Sequence, residues 1–191
     1  MQTPLRAHRD PPGVTVEPAE EVPEVSQRRP WRTVAVAGVL AGAFDLTFAF
    51  VFYGRQGASP ERILRFIASG ALGPAAFTQG SWTMLLGATL HFLIALCAAF
   101  VFYFASRRLP VLTRRPLWSG AAFGVAMYVA MHFIVLPLSR VHFRLLPPLH
   151  DVIGELFSHT LLFGMVIALG VARARGALPR LAPPGTHGLR A

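Results

Sequence analysis

Four apolar runs divide this sequence, at 34–53, 83–104, 117–137 and 152–172. Each has about the 20 residues that a helix needs to cross a bilayer. Inside hydrocarbon, backbone N–H and C=O groups must be satisfied within the protein, so only helices and closed barrels span a membrane. Long apolar runs without strict alternation specify helices. The fold expected is therefore an all-α membrane protein, a four-transmembrane-helix bundle. Every run also carries an ionisable residue: Asp45, His91, His132, and the pair Glu155 and His159. A charged side chain at the centre of a bilayer costs about 2.5–3.5 kcal/mol on insertion scales, so such residues are rare and turn toward the bundle interior.

Composition narrows the function classes. Of the residues, 53% are hydrophobic and 14% are charged, against roughly 25% charged in soluble domains. The formal net charge is +9, and all of the basic side chains are arginine. In a soluble protein that charge would point to nucleic acid. Here the arginines flank the apolar runs, and no basic patch with interleaved aromatics lies on a polar segment. The partner expected is the lipid bilayer with its anionic headgroups, and no nucleic acid. The single cysteine, Cys97, excludes an intramolecular disulfide and a cysteine zinc motif, and reads as a small packing residue.

Residues 1–30 are rich in proline and charge and read as a disordered cytoplasmic tail. They lack the pattern of a cleavable signal peptide, so the first run is expected to act as an uncleaved anchor. Residues 31–173 form the membrane domain, and 174–191 a flexible cytoplasmic tail. Arg28, Arg29, Arg32, Arg107, Arg108, Arg114, Arg115, Arg173, Arg175 and Arg180 on one side outnumber Arg55, Arg62, Arg65, Arg140 and Arg144 on the other. The positive-inside rule then puts both termini in the cytoplasm. Trp31, Tyr53, Trp82, Tyr103 and Trp118 fall near run ends, where interfacial aromatics belong.

The first outer loop contains Ser59-Pro60-Glu61, an N-cap, a first-position proline and a first-turn acid. Ile63, Leu64, Phe66 and Ile67 follow, with Arg62 and Arg65 on another face. The reading is a short interfacial amphipathic helix that stops at Gly70. Ala71–Phe77 is too short to span. Pro147-Pro148 in the second outer loop should start the last helix.

At ~1.5 Å per residue, Asp45 and His91 lie roughly 12 Å from the outer end of their runs. His159 lies about 10 Å in, and His132 and Glu155 about 5–8 Å in. All five fall in the outer half. Asp151, Glu155 and His159 form an i, i+4, i+8 stripe. Asp45 shares a face with Gly38 and Gly42, His91 with Gly87 and Ala95, and His132 with Gly120, Gly124 and Tyr128. Small residues mark helix contacts in membranes, so the ionisable side chains point inward. Gly38-Val-Leu-Ala-Gly42 and Gly120-Ala-Ala-Phe-Gly124 both lie in the cytoplasmic half. Close approach there, with bulkier polar residues beyond, predicts a polar cavity open to the outside and closed to the cytoplasm. Ordinary readings stand beside this one. Asp151 suits a helix N-terminus, Glu155 is one turn further in, and the three histidines suit interhelical hydrogen bonds.

Several stretches resemble the YagU-like family of bacterial inner-membrane proteins. They are Gly38-Val-Leu-Ala-Gly42, His91-Phe-Leu-Ile-Ala-Leu with Tyr103, Leu117-Trp-Ser-Gly120 with Gly124, Met131-His132 leading to Pro137-Leu138, and Gly154-Glu155-Leu-Phe-Ser-His159. The resemblance covers 34–173. It implies a four-span protein of the bacterial inner membrane and supplies no reaction. The first outer loop is shorter than that family's, and Asp45 is not carried by it.

Three functions fit the sequence. The polar cluster is a protonatable site, or one that binds a metal, linked to ion or small-solute movement; with so few spans, transport would call for a homo-oligomer. Alternatively the chain is a structural or assembly partner whose polar residues are interhelical glue. The third is a haem-binding cytochrome using His91 and His159, which share a depth. A nucleophile elbow, an HExxH zinc motif and a phosphate loop are all missing from the sequence, which argues against a soluble-type enzyme; a membrane metalloenzyme using Glu155 and the histidines stays open.

Overall fold

The computed structural model describes residues 30–141 and 147–178. The two expected tails fall almost wholly outside them, as do His142 and Arg144. The chain is all-α, and the described residues contain no strand. The order is α1 (Pro30–Gly54), α2 (Pro60–Leu72), α3 (Trp82–Arg108), the single turn α4 (Val111–Arg114), α5 (Pro116–Leu138) and α6 (Leu149–Ala174). Helices α1, α3, α5 and α6 are long and apolar enough to cross a membrane. Each runs past its apolar stretch at both ends. Pro30 and Pro116 sit at first-turn positions that need no N–H, and Arg107 and Arg108 lie in the last turn of α3, where cations meet the negative end of the helix dipole.

The helix ends define two faces. The terminal face holds the start of α1, the end of α6 and the α3–α5 link. The loop face holds the connections from α1 to α3 and from α5 to α6. The packed core belongs to the terminal half: Val34 and Ala41 of α1, Ala95, Ala98, Ala99 and Phe102 of α3, and Ile167, Ala168 and Val171 of α6. Most of these are small, so backbones approach closely. Gly38 and Gly42 lie against Ala95 and Ala99 of α3. Gly120 and Gly124 lie against the α6 backbone at Gly164 and His159, and a Cβ on Gly124 would coincide with the His159 carbonyl. Gly170 of α6 admits Ala37 of α1. Helices α3 and α5 meet through larger side chains, with the Phe102 and Phe123 rings 5.0 Å apart in a T-shaped pair.

Helix α2 is present where the sequence places it. Ser59 Oγ accepts from the Arg62 N–H, Pro60 opens the helix, and Glu61 pairs with Arg65 at 2.7 Å. The helix does not stop at Gly70. It continues to Leu72 and ends on Gly73, whose φ of 61° is the conformation only glycine adopts cheaply. A 3₁₀ turn, Gly73–Phe77, follows. The helix packs along α3, where Leu64 meets Gly87 so closely that a Cβ there would collide. Its far end reaches the end of α5, where the Arg140 N–H donates to the Gly70 carbonyl at 3.0 Å. Cys97 is exposed on the outside of α3 rather than packed within the bundle.

Two helices depart from α winding. Met131–Val135 in α5 and Ser158–Gly164 in α6 are π-helical. Such wide turns hold one extra residue and occur frequently at functional sites. Gly124→Val is expected to wedge α5 from α6 and lower stability by about 1–3 kcal/mol. The measurement is thermal unfolding in mild detergent, with Gly54→Ala, which meets open space, as the unaffected control.

Candidate functional site

Beyond the core, toward the loop face, the helices part. A cavity of about 690 Å³ opens between α1, α2, α3, α5 and α6. Its walls include Asp45, His91, His132, Glu155 and His159, so all five ionisable residues of the spans border one space. Leu46 and Phe163 form its floor against the packed half. The glycine and alanine contacts hold backbones together below this level. Above it Phe48, Met127 and Met131 keep them apart.

Asp45 is 15% exposed and is held from two sides. Ser158 Oγ on α6 donates to Asp45 Oδ1 at 2.5 Å. His91 Nε2 on α3 stands 4.0 Å from Oδ2, which is an ion pair only when the imidazole is protonated. That nitrogen lies 2.9 Å from the Gly42 carbonyl. A carbonyl only accepts, so Nε2 carries the hydrogen. The carbonyl already serves the helix, and its second lone pair serves His91.

Glu155 is held by Tyr53, whose hydroxyl donates to Oε1 at 2.6 Å. Side chains on a helix lean toward its N-terminus, so Tyr53 reaches back along α1 toward the cavity. Near the opening, Gln56 Nε2 donates to Asp151 Oδ1 at 3.2 Å, and His150 stands 3.3 Å from the same oxygen. Helices α1 and α6 thus form one polar and aromatic seam. It includes the Phe48–Phe157 ring contact at 5.5 Å, and Gly154 takes in the Phe52 ring.

The histidines divide by helix. His132 is buried, with its ring stacked on Tyr128 at 5.6 Å and 16°. His159 stands edge-on to the same Tyr128 ring, 6.1 Å from it. His159 Nδ1 lies 2.9 Å from the Glu155 carbonyl and so carries the hydrogen, which leaves Nε2 as the acceptor of the neutral ring. Among the described residues no three His, Cys, Asp or Glu side chains converge as a metal ion requires. A haem ligated by His91 through Nε2 would first have to break the bond to Gly42.

The sequence reading did not single out Ser158, and took Tyr53 only as an interfacial aromatic. Ser158 adjoins His159, and at 100° per residue adjacent positions do not share a helix face. Both nevertheless border the cavity, at the start of the π-helical turn. Arg62 from α2 also lines the cavity, as its one arginine among the described residues. Comparison with family models, with curated proteins and with solved structures gives no match to this chain. The resemblance to the YagU-like family therefore rests on the quoted motifs alone.

Each hydroxyl-to-carboxylate bond joins α1 to α6. Ser158→Ala and Tyr53→Phe are each expected to cost about 0.5–2 kcal/mol, the span measured for interhelical hydrogen bonds in membranes. A double-mutant cycle of Ser158→Ala with Asp45→Ala, read by unfolding in detergent, should return most of that cost as coupling.

Proposed function

We propose that this chain is an integral membrane protein that binds a small solute in the loop-face cavity, with occupancy linked to protonation of the Asp45, Glu155 and histidine cluster. The observation carrying this reading is the convergence of all five intramembrane ionisable residues on one space. Carboxylates and imidazoles exchange protons in the range where cells work when their surroundings shift them. The cavity is also within the ~300–1,000 Å³ range of small-ligand pockets.

The same proposal includes the address. The arginine excess at the terminal face supports cytoplasmic termini and, with them, a cavity that faces outward. The motifs that resemble the YagU-like family support a bacterial inner membrane. Passage of a solute through the packed half would need helices to part, and a homo-oligomer would supply the extra surface for that.

A second reading has its own support. The Tyr53–Glu155 and Ser158–Asp45 bonds pin α1 to α6, as polar glue would in a protein whose role is assembly. Infrared difference spectra on changing pH separate the two. The proton-linked reading expects carboxyl bands that change with pH and that disappear in Asp45→Asn or Glu155→Gln. Carboxyl bands that do not respond to pH would leave only the glue.

A further inference from the structure

We infer that the occupant of the cavity is a small organic cation, an ammonium or similar group on an apolar body. This rests on the reading of the cavity as a ligand site and adds the chemical class of the ligand.

The first ground is charge. Three carboxylates, Asp151, Glu155 and Asp45, line the space from its opening to its floor, against the single guanidinium of Arg62. The helical spans themselves supply no lysine, because the sequence has none. The other titratable groups facing the space are His91, His132, His159 and Tyr53.

The second ground is unused hydrogen-bonding capacity. A carboxylate offers about four lone-pair sites. Ser158 fills one on Asp45, and Tyr53 fills one on Glu155. The His91 Nε2 stands 4.0 Å from Asp45 Oδ2, beyond hydrogen-bond reach. Among the described residues no donor is bonded to Glu155 Oε2, neither oxygen is a buried atom lacking a partner, and both acids line the cavity. Neutral hydroxyls thus orient each acid without neutralising it. A donor brought by the ligand would complete both.

The third ground is the rest of the wall. Phe48, Ile67, Ile94, Met127, Met131 and Phe163 are apolar. A bare inorganic cation needs a shell of about six or more oxygens in place of its water, and the carboxylates here sit at different depths. An anion would meet three like charges. A cation with an apolar body uses both the acids and the walls, and aromatic faces attract cations further.

The test uses the protein in lipid nanodiscs, dialysed to equilibrium against benzylammonium or its neutral carbon isostere ethylbenzene, with protein-free nanodiscs subtracted. The expected result is saturable binding of the cation, at least about tenfold tighter than the isostere. That preference should vanish in Asp45→Asn or Glu155→Gln, and binding of both compounds should weaken in Ile67→Trp, which narrows the cavity. If the isostere binds as well as the cation, or if both acid variants keep the preference, the cationic class is wrong while the ligand site stands. If neither compound saturates, the ligand site falls as well. Should an acid variant fail to fold, the wild type supplies the same contrast.

Discussion

A carboxylate in hydrocarbon has to bring its own hydrogen-bond donors, because neither lipid nor the helix backbone supplies them. Asp45 and Glu155 meet that requirement in the same way, each from a hydroxyl on the opposite helix of the α1–α6 pair. The two bonds run in opposite senses: α6 gives to α1 through Ser158, and α1 gives to α6 through Tyr53. They fix the relative height and rotation of the two helices around which α3 and α5 pack. The cavity follows from that seam, since the helices are held in register while bulky side chains above the floor keep the other walls away.

Below the floor a different force holds the bundle. Hydrocarbon provides little hydrophobic drive between helices, so association there depends on backbone approach and dispersion. Gly120, Gly124, Gly164 and Gly170 each sit where a neighbouring helix leaves no room for a side chain, and Gly38 and Gly42 sit where a Cβ would be tight. The molecule is thus built in two layers along the axis. One is dense and almost free of polar side chains. The other is open and carries every ionisable group of the spans.

Much of this was legible in the sequence. The spans stood out as runs of apolar residues, and the depth of five ionisable positions placed them in a common half. The glycine pairs marked the close contacts, since only a missing side chain permits them. What escaped the sequence has physical causes. Helix α2 runs on through Gly70 because that glycine sits in ordinary helical conformation and the break needs the positive φ of Gly73. Its packing on α3 depends on Gly87, which as a lone small residue on an apolar helix looks like any other. Tyr53 looked like an interfacial ring because its hydroxyl partner is far away in sequence. Ser158 was hidden because a serine in an apolar run is ordinary and its partner, Asp45, lies on another helix.

The wide turns of α5 and α6 also bear on how the chain tolerates changes in length. Each stores one residue more than an α-helix of the same rise would hold. Deleting a residue within Met131–Val135 would let α5 relax to regular winding without altering the distance between its ends much, and the same holds for Ser158–Gly164. The loss would instead be local: the flanking segments keep nearly the same angle, and only the side chains of the closed-up turn change the way they face. Single-residue deletions at these two places would therefore leave a bundle that still inserts and packs, with its cavity relined only at those turns.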